Sequence, residues 1–422
     1  MANVHFRNIQ TLQYLGNKSR IIDYVCTPML QFQNVTTIVD LFAGTGSIGY
    51  AMKDYKSIVS NDLEYYSFIV NQAILNGCLF SSQEKQNFYY TIKKNFLRLS
   101  KLLKAPIELE KKYFRGSDMD GYKAFCDETP SIFNSQTNSI VGMEPLWEFV
   151  NDIVPGVGPT SNCLPCLFVT YYANAYFGIR QCIEIDAICS AIRQQRDLRV
   201  QYVLLTALMS ALSKTASTTT HFAQYLKINS FSGFGNIVSK RSASIITLFK
   251  RQLYYLERKG LFNCSAPCER CFNMDYVDLL DRLNMNENFL VYADPPYFKE
   301  HYSRYYHILN TLCLYDYPIP DINPQTKKLS VGRYRSNRNV SPFGKKAKAL
   351  SAFRFLLEKC SIANTPLFIS YADDSIVDIE SLYKLACHYY EVEMKKIQLN
   401  HSKQGRDSVS KVNEMLLICK PY

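Results

Sequence analysis

Asp294-Pro295-Pro296-Tyr297 closes the apolar run Phe289-Leu-Val-Tyr-Ala293 and has the parts needed to grip an amino group conjugated to an aromatic ring. Such a nitrogen is a poor nucleophile, because its lone pair is delocalised into the ring. The Asp294 carboxylate and the Pro295 backbone carbonyl make an acceptor pair for its two hydrogens and favour a more pyramidal nitrogen. Two prolines fix φ near about −65° and remove N–H donors, which sets the carbonyl directions. Tyr297 offers a flat face on which a ring can stack. Asp-Pro-Pro also makes ordinary turns, so these four residues alone leave both readings standing.

A second motif bears on the choice. Thr37-Ile-Val-Asp-Leu-Phe-Ala-Gly-Thr-Gly46 reads as a short apolar strand running into a glycine turn, with a helix starting over Ser47 to Lys53. Glycines 44, 46 and 49 permit a tight turn and close approach of backbone to a ligand. Ser57-Ile-Val-Ser-Asn-Asp62 reads as a second strand ending in an acid placed to bind ribose hydroxyls. The 44, 46, 49 spacing also fits a dinucleotide fingerprint, so a nicotinamide cofactor competes. A hydride-transfer enzyme has no evident use for Asp-Pro-Pro-Tyr, which disfavours that competitor.

Together, Asp40-Leu-Phe-Ala-Gly-Thr-Gly46 and Asp294-Pro-Pro-Tyr297 resemble the S-adenosylmethionine-dependent DNA adenine-N6 methyltransferases, in the subgroup whose glycine motif comes first. Tyr14-Leu-Gly-Asn-Lys18 is similar to the opening cofactor motif of that family. The resemblance implies cofactor contacts from Tyr14, Lys18, Asp40, Phe42, Gly44, Gly46, Asp62, Asp275 and Asp294, with Lys18 near the cofactor carboxylate and Asp62 on the ribose. Asn273-Met-Asp275 resembles the strand-end acid that meets the adenine ring of the cofactor. His221-Phe-Ala-Gln224, the stretch from Lys299 to Tyr306, Ser341-Pro-Phe343 and Ile369-Ser-Tyr371 also match. The catalytic set implied is Asp294, Pro295, Pro296 and Tyr297. The resemblance covers most of the chain and weakens between about 83 and 160.

The fold class that follows is α/β: a doubly wound, mostly parallel Rossmann-like methyltransferase sheet with an inserted, mainly helical target-recognition domain. The expected boundaries are 1–82 and 260–422 for the catalytic domain and 83–259 for the insert. Phe289–Ala293 is a nearly continuous apolar strand, as a doubly covered parallel sheet requires. Residues 366–371 and 415–419 are two more candidate strands, and the alternation over 389–397 suits an antiparallel or edge position. Within the insert, a Lys-rich helix over 91–104 and long helical patterns over 179–212 are expected. Residues 213–220, dense in hydroxyls, suit either a loop against phosphates or a helix-capping linker.

A formal net charge of +11 over 422 residues favours a polyanionic partner through counterion release. Basic residues concentrate after Asp-Pro-Pro-Tyr at positions 299, 304, 327, 328, 333, 335, 338, 345, 346 and 348, interleaved with tyrosines 302, 305, 306 and 334. Lys299, Arg304, Tyr305, Arg333 and Arg335 are the candidate DNA contacts, for phosphates and base stacking. A solvated basic loop is the competing reading. No signal peptide and no membrane-length apolar run is visible, so a cytoplasmic protein acting on DNA is expected. Among 14 cysteines, Cys163-x-x-Cys166 and Cys264-x3-Cys268-x-x-Cys271 have zinc-like spacing, but about a hundred residues separate them. Core cysteines are preferred and no metal is expected.

Asp at 294 points to adenine N6, because enzymes acting on cytosine N4 typically carry Ser-Pro-Pro-Tyr. The expectation is therefore a site-specific adenine methyltransferase acting on double-stranded DNA, with a cognate restriction endonuclease as separate partner. The alternatives are a cytosine-N4 methyltransferase and a DNA-binding protein that keeps an inactive methyltransferase fold.

Overall fold

The computed structural model describes residues 5–12, 18–116, 118–134, 140–161, 164–218, 221–267, 269–296, 302–373, 375–402 and 409–422. The chain divides into two compact units. One contains Met1–Asn76, Ala266–Ser303 and Asn339–Tyr422, and the other Gly77–Ser265 with Arg304–Arg338.

In the first unit, strands β1 (Thr37–Asp40), β2 (Ser57–Asn61), β3 (Arg270–Phe272), β4 (Phe289–Ala293), β5 (Leu367–Ala372), β6 (Glu391–Ser402) and β7 (Val409–Lys420) form one sheet. Their order is β3-β2-β1-β4-β5-β7-β6. Pairing is parallel from β3 to β5, and β7 runs against both of its neighbours. Central strands are apolar on both faces because helices cover both. Val39, Val59, Val291, Ile369 and Leu417 pack with Leu279 of α4 (Tyr276–Arg282) and with Phe353 and Leu356 of α5 (Lys346–Ile362). Ile38, Ile58, Leu290 and Phe368 are buried on the opposite face, where Phe32 meets Phe368 edge-on at 5.6 Å. The helices α1 (Ile22–Met29), α2 (Ser47–Met52) and α3 (Tyr65–Asn76) belong to the same unit. On the edge strand β6 the alternation read from the sequence breaks: Val392 and Ile397 are half-buried, but Met394 is 45% exposed and Lys395 half-buried.

This order determines where a ligand can sit. From β1 the chain builds outward to β2 and β3, then returns to lay β4 on the other side of β1. Connections therefore diverge at the carboxyl ends of β1 and β4 and leave the crevice that open α/β sheets use for binding. Asp40 pairs in register with Tyr292, so Asp294 lies two residues beyond it at the same end of the sheet.

The second unit is mainly helical, and its buried charges sit at helix ends. Ile179–Arg193 has 12 buried residues of 15, the signature of a core helix covered on all sides. Glu110 accepts from the Ile179 and Arg180 N–H groups at 2.5 and 3.1 Å, at the amino end of that helix. Asp186, fully buried, accepts from the Phe168 and Val169 N–H groups at 2.9 and 3.0 Å and from the Tyr315 hydroxyl at 2.7 Å. At the other end of Leu167–Tyr172 the carbonyls find cations. Arg333 donates to Tyr171 O at 2.6 Å, and Arg241 donates to Asn174 O and Ala175 O at 3.1 and 2.6 Å. Carboxylates at amino ends and guanidinium groups at carboxyl ends complement the helix dipole and satisfy otherwise orphaned backbone groups.

The segment 304–338 packs in this unit, whereas the sequence reading placed it in the catalytic domain. The physical reason is a set of long-range bonds. The Phe222 N–H donates to Tyr305 O at 2.9 Å, the Tyr171 hydroxyl to Pro318 O at 3.0 Å, and the Tyr334 hydroxyl to Ala223 O at 2.5 Å. The helical pattern over 179–212 resolves into two helices, Ile179–Arg193 and Leu198–Thr215. The Lys-rich helix is longer than read, Ser82–Leu102, and starts with a capping box between Ser81 and Glu84. No helix among the described residues is long and apolar enough to cross a membrane.

Candidate active site

After β1 the chain turns through a loop whose shape is fixed from both sides. Gly44 and Gly46 have φ of 52° and 72°, the left-handed region that side chains disfavour. The Gly44 N–H donates to Asp62 Oδ2 at 2.8 Å, and the Glu64 N–H donates to Asp62 Oδ1 at 2.8 Å. Ser67 Oγ and Asn71 Nδ2 donate to Gly44 O at 2.5 and 3.1 Å. A Cβ on Gly46 would lie 2.5 Å from Asn71 Oδ1 and 2.6 Å from Ile74 Cδ1. Gly49 lets α2 close on the sheet, since its Cβ would meet Ile58 Cγ2 at 3.3 Å.

The loops after β2 and β3 are tied to this turn. Asn61 Nδ2 donates to Leu41 O and Met274 O, and Asn273 Nδ2 donates to Asp62 O at 2.8 Å. Asp275 caps α4, accepting from the Val277 N–H at 2.9 Å. Phe42, half-buried, packs against Tyr276 and Phe343 with ring centroids 5.7 and 5.3 Å away. The structure thus brings Asp40, Phe42, Gly44, Gly46, Asp62 and Asp275 to one end of the sheet.

Asp294 follows β4 directly. Its side chain is 16% exposed, Pro295 is buried and Pro296 half-buried. Lys18 Nζ lies 3.0 Å from Asp294 Oδ1 and 2.7 Å from Glu414 Oε1 on β7. The sequence reading placed Lys18 near a cofactor carboxylate; its observed partners are two carboxylates of this chain. Burial pulls the Lys18 ammonium down, but the Asp294 and Glu414 charges outweigh burial and hold it above the ordinary lysine value. Asp294 is raised from 3.8 to about 7: burial lifts it most, the Lys18 charge and hydrogen bond pull against that, and Glu414 pushes it up. Asp40, fully buried, is also raised, by burial first and then by the Asp294 and Asp62 charges. Asp62 is raised by burial against the pull of its backbone donors. Oδ1 of Asp40 is a buried acceptor with no hydrogen-bond partner among the described residues.

Tyr14, Tyr297, Lys299, Cys163 and Cys268 lie outside the described residues. Two of the candidate DNA contacts have partners within the second unit. Arg333 is 8% exposed, bonded to backbone carbonyls and set between the Phe133 and Tyr225 rings, so its charge serves the fold of the second unit. Arg335 is ion-paired to Asp316 at 2.6 Å with 16% of its side chain exposed. Arg304 lies over the Tyr334 ring at 5.3 Å, and half-buried Tyr305 meets His221 edge-on at 5.3 Å. Glu414 and Ser370 were missed, although Ser370 lies within the matched Ile369-Ser-Tyr371. No local signal marks Glu414, an acid beside an apolar strand.

Comparison with known proteins bears on this geometry. Residues 14–118 match the model of the D12 class N6 adenine-specific DNA methyltransferases. The family resemblance read from the motifs is borne out. The chain is 23% identical over 403 residues to "Modification methylase LlaI" of Lactococcus lactis subsp. lactis, covering 93% of this chain and 51% of that protein. It is 21% identical over 383 residues to "Type II methyltransferase M.NlaIII" of Neisseria lactamica, covering 87% of this chain and 85% of that protein. It is 21% identical over 416 residues to "Type II methyltransferase M.FokI" of Planomicrobium okeanokoites, covering 94% of this chain and 51% of that protein. The chain thus spans about half the length of the first and third.

Proposed function

We propose that this chain transfers a methyl group from S-adenosylmethionine to the N6 amino group of adenine in double-stranded DNA. Its setting would be the cytoplasm, as the modification enzyme of a restriction-modification system whose endonuclease acts separately. The observation that carries the reading is the Asp294 carboxylate. It lies at the sheet end that holds the glycine turn, with the Lys18 ammonium 3.0 Å from Oδ1, and is followed by two prolines that supply no N–H donor. A carboxylate has lone pairs beyond the one facing Lys18, and an amine hydrogen is a donor for them. Asp at 294, where enzymes acting on cytosine N4 typically carry Ser, and the D12 match support adenine.

The residues present fit the cofactor. Asp62 accepts from the Gly44 and Glu64 N–H groups, which aims its carboxylate, an acceptor that suits a ribose hydroxyl. Phe42 offers a ring, Asp275 an acceptor for an exocyclic amine, and Gly44 and Gly46 backbone without a Cβ on either side of Thr45. When bound, S-adenosylmethionine supplies a methyl group on a sulfonium that keeps the bonding electron pair on transfer. The chain does the rest. Asp294 and the Pro295 carbonyl hold the two N6 hydrogens and turn the nitrogen lone pair out of the ring plane. Tyr297 stacks on the base, which is flipped from the duplex because N6 is out of reach while stacked. Asp294 then receives the proton the amine sheds, and positioning supplies much of the rate. The second unit, which contains most of the expected 83–259 insert, would read the target sequence.

Asp294 acts as an acceptor only when ionised, so kcat should rise with pH through about 7. Stability has the opposite sign. A carboxyl raised from 3.8 to about 7 on folding stabilises the fold fully below 3.8 and loses that contribution as pH climbs to 7. A pH-rate profile beside a pH-dependent melting series checks both; a kcat that is flat from pH 6 to 8 would remove Asp294 as the titrating acceptor. The reading as a whole is tested by incubating the purified protein with DNA and S-adenosylmethionine and identifying the methylated nucleoside by mass spectrometry.

A further inference from the structure

Lys18 is one cation between two carboxylates, and it does not treat them alike. Its Nζ donates a hydrogen bond to Glu414 Oε1 at 2.7 Å. The contact to Asp294 Oδ1 is longer, an ion pair at 3.0 Å. Ser370 Oγ, on β5, donates to the same Glu414 oxygen at 2.7 Å. Glu414 is 3% exposed and Ser370 fully buried, so the arrangement lies inside the sheet. A carboxylate at that depth carries a desolvation cost of several kcal/mol, and many cores replace such a group with an apolar one without loss. Glu414 lies instead next to the carboxylate that meets the substrate.

We propose that Glu414 is a positioning residue for methyl transfer: together with Ser370 it anchors the Lys18 ammonium, so that Asp294 has the cation nearby while its carboxylate keeps acceptor capacity for the target amine. This rests on the reading of the chain as an amine methyltransferase. The amine nitrogen forms the N–C bond, the methyl–sulfur bond breaks with its electrons left on sulfur, and the surplus N6 proton leaves through Asp294 to solvent. Without Glu414 the ammonium would have Asp294 as its one charged partner among the described residues, and would be drawn further onto the carboxylate the amine needs.

The charges around the pair make the idea measurable. Asp294 faces Lys18, Glu414, Asp40 at the end of β1 and Tyr292 on β4; Tyr24 of α1 faces Glu414, and Asp62 faces Asp40. Glu414 pushes the Asp294 carboxyl up and Lys18 pulls it down. Neutralising Glu414 removes the push and leaves Asp294 as the one carboxylate partner of Lys18 among the described residues, so both changes act downward.

The test is Glu414→Gln in the full chain, read in two ways. Carbon-13 carboxyl NMR, with the Asp294 signal assigned through Asp294→Asn, should show its titration midpoint lowered by about one pH unit. Steady-state methylation of DNA should show the acid limb of kcat shifted down with it. At pH 8 kcat should fall by about tenfold, with KM for S-adenosylmethionine unchanged within about twofold. Ser370→Ala keeps Glu414 but removes its hydroxyl donor, and should move the Asp294 midpoint upward; it decides the matter if the Gln variant does not fold. An unmoved midpoint in the variants that fold, or a moved midpoint with an unchanged kcat and acid limb, overturns the proposal. If wild-type protein makes no N6-methyladenine, the functional reading falls and the positioning role with it; the NMR titration then still reports separately whether Glu414 controls Asp294.

Discussion

Asp294→Ala should leave S-adenosylmethionine binding within about threefold of wild type while lowering kcat by about 10²–10⁴-fold, the range for losing one positioned proton acceptor. The substitution removes the carboxylate proposed to accept from the amine and leaves the Gly44–Asp62 clamp untouched. Lys18 keeps its bond to Glu414, so the buried ammonium is not stranded and the fold should persist. A calorimetric titration with the cofactor, paired with single-turnover methylation, separates binding from chemistry. Wild-type kcat in the variant would refute the assigned role. Loss of cofactor binding together with activity would instead make Asp294 part of the cofactor site.

Gly46→Ala should weaken cofactor affinity by at least about tenfold, or roughly 1.4 kcal/mol. Two costs combine. A side chain at φ 72° is strained by about 1–2 kcal/mol. The new methyl would also stand 2.5 Å from Asn71 Oδ1 and 2.6 Å from Ile74 Cδ1, so Asn71 must move. Asn71 Nδ2 holds Gly44 O at 3.1 Å, and shifting it loosens the turn that faces the cofactor. Melting should fall by several degrees, at about 2–4 °C per kcal/mol for a protein of this order of size. Gly235→Ala is the control, because its Cβ would meet nothing within 4 Å on the helix Phe231–Ser242 of the second unit. Equal behaviour of the two variants in cofactor titrations would contradict the account of the turn.

Much of the site was legible in the sequence because it is local. A glycine turn after an apolar strand, an acid at the end of the next strand and Asp-Pro-Pro-Tyr after a third each announce themselves within ten residues. Parallel-sheet geometry gathers them without further instruction, since strand ends on one side of such a sheet share one crevice. What was not legible depends on partners far along the chain. Glu414 is 396 residues from Lys18, and nothing beside it in sequence distinguishes a buried acid within a strand from a solvated one. Arg333 reads as a free cation among tyrosines, yet its guanidinium is spent on a carbonyl 162 residues earlier. The same long-range bonds draw residues 304–338 into the second unit and blur the domain boundary read from composition.

The most direct measurement is nucleoside mass spectrometry of unmethylated duplex DNA after incubation with the purified protein and S-adenosylmethionine. The account predicts N6-methyladenine at a defined sequence, appearing with wild-type protein and absent with Asp294→Ala. N4-methylcytosine as the product, or no methylated nucleoside despite bound cofactor, would contradict it.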